Sequence, residues 1–217
     1  MVNPLGGADK DVAAWFHAHL SHTFVTILRA LSEPGSSLWI GIVLFLGVLF
    51  FVWKRWWPSL VMLVVAVPGG MLLNEWVKLL VHRPRPFLEG AFVDWSGYSF
   101  ASGHTIGATL LYGQLALFVV PAIKSRHWQR LIVLAAALLV LLVGFSRIAL
   151  GAHYLTDVLA AIVFGILWLA FCLIAGKPMR RRVAAEYQLP IREPLDSAEI
   201  AVLPVRPAEQ PAQNLLG

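Results

Sequence analysis

Five long apolar runs leave this chain few ways to fold. They cover Ser36 to Trp53, Trp56 to about Val81, Thr105 to Ile123, Leu131 to Phe145 and Val158 to Gly176. A helix needs about 20 apolar residues to cross the hydrocarbon core of a bilayer, with a range of roughly 17–25. The fourth run is short by this measure and reaches the length if Ser146 and Arg147 lie at the rim. Composition agrees: 59% of the residues are hydrophobic and 13% charged, against about 25% charged in a soluble domain. The expected fold is all-α, a polytopic transmembrane bundle of five to six spans.

The sixth span is an open matter because Val12 to Leu31 mixes signals. Trp15, Phe16, Leu20, Phe24, Ile27 and Leu28 recur near the helical period, interrupted by His17, His19, His22 and Arg29. An amphipathic helix lying at the interface is the favoured reading. Three regions result: an N-terminal interfacial segment over 1–35, a transmembrane core over 36–177, and a tail over 178–217. The tail is rich in Pro, Ala, Glu and Gln, has no sustained period, and is expected to be flexible. Met1 to Lys10 lacks a basic region running directly into an apolar core, so no cleavable signal peptide is expected. The single cysteine, Cys172, sits in an apolar run and reads as a small packing residue.

The net charge of +5 is distributed in short clusters between the runs, which fits membrane topology and not nucleic-acid binding. Lys54 and Arg55, then Lys124, Arg126 and Arg130, then Lys177, Arg180, Arg181 and Arg182 all fall on one side of a five-span bundle. The positive-inside rule makes that side cytoplasmic. The opposite side carries the loop from His82 to Gly103 and the turn from Ser146 to Asp157, and is expected to face outward.

Polar groups at membrane depth are functional candidates by default, and three clusters lie on that outward side. The first is Lys78, His82, Arg83, Arg85 and Pro86. Arg offers a planar fork and Lys a point charge to a phosphate; side chains snorkelling to lipid headgroups are the alternative. The second is Ser99-Phe100-Ala101-Ser102-Gly103-His104, where a helix start offers a hydroxyl and backbone N–H groups to an anion, or Ser102 simply caps the helix. The third is Ser146-Arg147, His153 and Asp157. A continuous helix would put His153 and Asp157 on one face, where a carboxylate can hold an imidazole in one tautomer. A buried polar pair that only joins helices is the alternative. The histidines and Asp157 could meet around zinc, but the crowd of Arg and Lys favours an anion over a cation.

Taken in order, Lys78-(six residues)-Arg85-Pro86, Ser102-Gly103-His104 and Ser146-Arg147-(five residues)-His153-(three residues)-Asp157 closely resemble the signature of the type 2 phosphatidic acid phosphatase family. That family shares its site with vanadium haloperoxidases and glucose-6-phosphatase. The resemblance runs from about Trp39 to Gly176. One departure is visible: Ala101 stands where the family usually has proline before Ser-Gly-His. The resemblance implies that His153 is the nucleophile, that Asp157 orients it, and that His104 protonates the leaving oxygen. It also implies that Lys78, Arg85, Arg147, Ser102 and the Gly103 N–H hold the phosphoryl oxygens. No metal or other cofactor is expected.

The implied activity is hydrolysis of a lipid phosphate or pyrophosphate, such as undecaprenyl pyrophosphate, phosphatidylglycerophosphate or phosphatidic acid. A lipid A phosphatase or a lipid phosphotransferase is the runner-up on the same site, and a non-catalytic headgroup binder the remote alternative. The likeness to bacterial members implies the inner membrane, with the outward site already expected from the charge distribution. Trp76, Phe87, Phe92, Trp95 and Tyr98 are candidates to line the site's mouth or to form an ordinary interfacial belt.

Overall fold

The computed structural model describes residues 6–86 and 97–177, with the side chains of Gly6, Ala8 and His17 left aside. The expected tail over 178–217 and the mouth candidates Phe87, Phe92 and Trp95 lie outside the described residues. Among the described residues all regular structure is helical. The helices are α1 (Gly6–His19), α2 (His22–Ser32), α3 (Ser37–Trp53), α4 (Trp57–Val81), α5 (Gly103–Val119), α6 (Arg126–Ala149) and α7 (Leu155–Ala175). Short 3-10 turns occupy Glu33–Gly35 and Val120–Ala122.

Among the described residues five stretches are long and apolar enough to cross a membrane, the first running from His22 through α2 and α3 to Trp53. The outer surfaces of α3, α4, α6 and α7 carry exposed Leu, Val, Ile, Phe and Trp side chains, as expected where lipid is the solvent. The fourth run extends well beyond Leu131 to Phe145: α6 takes in Arg126 at one end, and Ser146 and Arg147 at the other are helical and buried. The segment expected as one amphipathic helix is two. Ser21 breaks it by adopting an extended conformation and accepting a hydrogen bond from the Phe24 N–H, which starts α2 afresh. Val25 and Leu28 of α2 pack against Ala149 and Leu150, while Phe24 and Ile27 face outward.

The bundle is organised around α5, which packs on α3, α4, α6 and α7. Every residue from Thr105 to Leu111 is buried, so this helix has no lipid-facing side over that stretch. Small residues permit the close approach. A Cβ at Gly144 would lie 2.7 Å from Val158 Cγ1, and one at Gly165 would lie 2.7 Å from Thr109 Cγ2. Polar ties fix the order of helices: Trp39 Nε1 donates to Tyr112 Oη at 2.9 Å, Tyr112 Oη donates to the Pro34 carbonyl at 2.8 Å, and Trp168 Nε1 donates to the Ala66 carbonyl at 3.0 Å.

Because α4 to α7 alternate in direction, the end of α4, the start of α5, the end of α6 and the start of α7 share one end of the bundle. The opposite end gathers Phe51 against Phe118 and Met62 against Gly176, and holds Lys54, Arg55, Lys124, Arg126, Arg130 and Lys177 nearby in sequence.

Candidate active site

Each of the three polar clusters arrives at the site end by a helix terminus. α4 stops at His82, which takes the left-handed conformation (φ 50°) while its N–H closes on the Lys78 carbonyl at 3.0 Å. The chain then turns so that Arg83 and Arg85 reach the α6–α7 connection. The Arg85 Nη1 donates to the Ala152 carbonyl and its Nε to the Gly97 carbonyl, both at 3.0 Å. Lys78 pairs with Glu75 at 2.7 Å, and its ammonium also lies over the start of α5. A Cβ on Gly103 would stand 3.3 Å from Lys78 Nζ, so the missing side chain leaves room for the charge.

Ser102 caps α5, accepting from the Thr105 N–H and from Thr105 Oγ1 at 3.0 Å. Its own N–H donates to the Asp157 carbonyl at 3.3 Å. The bland reading of this serine is therefore realised in the structure. His104 follows in the first turn of α5, with the Gly35 turn packed against it: a Cβ at Gly35 would be 2.8 Å from the His104 carbonyl oxygen. The cations acting on His104 are Arg147, Lys78 and Arg85. Arg147, from the last turn of α6, is buried and donates through Nη1 to Ser32 Oγ at 2.8 Å.

His153 and Asp157 come together, but not as partners on one helix face. α7 begins only at Leu155, and His153 precedes it in the connecting turn. The closest partner of His153 Nδ1 is the Ser99 carbonyl oxygen at 2.7 Å; Asp157 Oδ2 is 3.8 Å away. A carbonyl can only accept, so Nδ1 carries the proton and Nε2 keeps its lone pair. The Ser99 hydroxyl fills the gap by donating to Asp157 Oδ2. Burial pushes the His153 imidazole down to about 4, the Asp157 contact works against that shift, and Arg147 and Arg85 reinforce it. The ring is thus neutral at physiological pH.

Asp157 is held from three directions, by Ser99 Oγ, by the Tyr154 N–H at 3.0 Å, and by Arg83 Nη1 at 2.6 Å on the other oxygen. Arg83 also lies 4.1 Å over the Tyr154 ring and pairs through Nη2 with Asp9 of α1 at 2.8 Å. Asp9 in turn accepts from the Thr156 N–H at 3.1 Å and from Thr156 Oγ1 at 2.6 Å.

All eight residues expected at the site, Lys78, Arg85, Ser102, Gly103, His104, Arg147, His153 and Asp157, therefore lie at this end of the bundle. Ser99 and Arg83 stand inside the sequence clusters but have no part in the expected site, and Asp9 and Ser32 lie outside those clusters. Nothing in the spacing pointed to the last two, whose partners are distant in the chain. Trp76 is exposed, and Tyr98 meets His82 edge-on at 4.5 Å between ring centres. Among the described residues no three His, Cys, Asp or Glu side chains converge where they could hold a metal ion.

The model of the PAP2 superfamily matches residues 59–180, more than half of the chain. This chain belongs to the PAP2 superfamily. Its sequence is 34% identical to phosphatidylglycerophosphatase B of Bacillus subtilis over 143 residues, covering 65% of this chain and 68% of that one. It is 32% identical to the undecaprenyl-diphosphatase BcrC of the same organism over 103 residues, covering 46% of this chain and 48% of that one. A solved transmembrane PAP2-type phosphatidylglycerolphosphate phosphatase from Bacillus subtilis superposes with a TM-score of 0.73 at 27% identity, covering 82% of this chain and 88% of that one. This PAP2 protein is thus a multi-pass membrane protein of a lipid phosphatase family, with the all-helical architecture expected from its apolar runs.

Proposed function

We propose that the chain is a metal-independent membrane phosphatase that hydrolyses a lipid phosphate or pyrophosphate through a phosphohistidine at His153. The observation that carries this reading is the Nδ1 contact of His153. A buried, neutral ring whose proton is committed to the Ser99 carbonyl has its Nε2 lone pair available for attack. Nε2 bonds to phosphorus as the bond to the lipid oxygen breaks. The leaving oxygen takes a proton from His104, whose imidazolium form is favoured by the bound phosphate anion beside it, and His104 is left neutral. His104 then accepts a proton from water, whose oxygen attacks phosphorus and displaces Nε2.

Phosphoryl transfer depends chiefly on positioning and on positive charge around the equatorial oxygens. Lys78, Arg85 and Arg147 supply that charge in the role a divalent cation fills elsewhere, and the N–H groups at the start of α5 add to it. Ser102 contributes through its cap, which fixes those N–H groups, and by its hydroxyl.

The basic end of the bundle is cytoplasmic by the positive-inside rule, so the site faces outward, to the periplasmic side of a bacterial inner membrane. A lipid substrate then keeps its tail in the outer leaflet while its phosphate reaches the site. The phosphate residues do not read the tail. Relatives named for phosphatidylglycerophosphate and for undecaprenyl diphosphate keep both lipids in the substrate class by analogy.

The test is phosphate release by purified protein in detergent with excess EDTA, from undecaprenyl pyrophosphate, phosphatidylglycerophosphate, phosphatidic acid and lipid A. Release is expected to persist in EDTA, and the ranking names the substrate. Release abolished by EDTA would overturn the metal-independent mechanism.

A further inference from the structure

An ion-pair chain lies behind His153. One guanidinium, Arg83, spans two carboxylates: Nη1 reaches Asp157 Oδ1 at 2.6 Å and Nη2 reaches Asp9 Oδ2 at 2.8 Å. Both carboxylate side chains are almost fully buried, at 1% and 0% exposure. Asp9 is fixed from the other side by the N–H and hydroxyl of Thr156, in the same first turn of α7 that holds Asp157. The helix α1 thus plugs one carboxylate into the back of the site.

Once phosphorylated at Nε2 with its proton on Nδ1, His153 is a cation and needs negative charge beside it. Asp157 supplies that charge, yet Arg83 bonded directly to it would cancel most of it. A second carboxylate on the far side of Arg83 restores a net single negative charge to the triad. Attraction between close charges in a water-poor site is strong, and chained hydrogen bonds polarise one another. Consistent with this, burial works against the Arg83 charge but the Asp9 and Asp157 contacts outweigh it and raise its pKa. Burial likewise opposes the Asp9 charge, and the Thr156 and Arg83 contacts hold its carboxyl below the ordinary range.

We propose that Asp9 is a positioning residue for phosphoryl transfer, acting through Arg83 to leave Asp157 its negative charge for the phosphorylated His153. The inference rests on the phosphohistidine reading. It gives α1 a part in catalysis beyond anchoring at the interface.

The test compares steady-state kinetics of full-length variants in detergent on one lipid phosphate, with His153→Ala as the blank. Asp9→Asn keeps an oxygen for Thr156 and loses the charge. It is expected to lower kcat at least tenfold with KM within twofold. Asp9→Asn combined with Arg83→Gln restores the net charge and is expected to recover several-fold over Asp9→Asn alone, as a coupled pair should. Thr156→Val removes the hydroxyl that accepts from Arg83 and donates to Asp9; it loosens the docking of α1 but keeps all three charges, and is expected to lose less kcat than Asp9→Asn at a comparable loss of Tm. Should Asp9→Asn not yield folded protein, Asp9→Glu must retain more kcat than Asp9→Gln.

Any of three results overturns the proposal: kcat of Asp9→Asn within twofold of the parent, no recovery in the double variant, or Thr156→Val as damaged in kcat as Asp9→Asn. Equal kcat in Asp9→Glu and Asp9→Gln does the same. If His153→Ala itself turns over, the phosphohistidine reading fails and this inference with it. If that blank is dead while Asp9→Asn matches the parent, only the part given to Asp9 is wrong.

Discussion

His153 Nδ1 sits 2.7 Å from the Ser99 carbonyl and 3.8 Å from the carboxylate of Asp157. The backbone thus sets the tautomer, and the Ser99 hydroxyl carries the link from ring to carboxylate. Ser99→Ala keeps the carbonyl and removes one hydrogen bond to a buried charge, a contact worth about 1.5–3 kcal/mol. The expected result is a fall in kcat of roughly 10- to 100-fold, with the protein still folded and phosphohistidine still formed. Single-turnover kinetics on Ser99→Ala check this.

The part given to His104 predicts a dependence on the leaving group. His104→Ala should lose most on natural lipid phosphates, whose alkoxide needs a proton, and less on nitrophenyl phosphate. Side-by-side kcat/KM values for both substrates decide it. Equal losses would show that the residue does not act by leaving-group protonation alone.

The contact between Gly103 and Lys78 gives a graded test. A methyl group at Gly103 would press on the Lys78 ammonium at 3.3 Å, the far end of a flexible side chain that can move aside. Gly103→Ala should therefore fold normally and raise KM severalfold. Arg147→Lys is expected to be harsher, because an ammonium cannot reproduce the fork of a buried guanidinium. Its kcat/KM should fall on the order of 10²–10³.

Buried, neutral His153 also makes stability depend on pH. Its folded pKa of about 4 lies below the 6.5 of the free side chain. Between those values the unfolded chain binds a proton that the folded chain does not, so stability falls as pH drops from about 6.5 towards 4. Asp9 adds to the loss lower down: its depressed carboxyl stabilises the fold above the usual carboxylate pKa, and that contribution fades as pH falls further. Thermal melts of the parent and His153→Gln at pH 7 and pH 5 test the histidine's share. The variant should lose less Tm over that interval than the parent.

The membrane-spanning helices were legible because lipid leaves little choice: long uncharged runs must be helices, and the charges between them mark their ends. The same logic gathered Lys78, Arg85, Ser102, His104, Arg147 and His153 at one end of the bundle. It failed where local spacing was asked to report tertiary contacts. The four-residue spacing of His153 and Asp157 suggested one helix face, but α7 starts between them, Asp157 is spent partly on capping Tyr154, and Ser99 bridges the gap. Asp9 and Ser32 were invisible for a different reason. Their partners Arg83, Thr156 and Arg147 lie 74, 147 and 115 residues away in sequence, and an acidic residue or serine near an interfacial helix carries no pattern of its own.

The covalent bond to His153 can be trapped. A phosphorus-labelled lipid substrate is mixed with the parent and with His153→Ala, quenched rapidly in alkali, and the protein is digested and mapped. An acid-labile, base-stable phosphoryl group is expected on the peptide containing His153 and absent from the variant, which also releases no phosphate. Turnover by His153→Ala, or label on another residue, would contradict a phosphohistidine at His153.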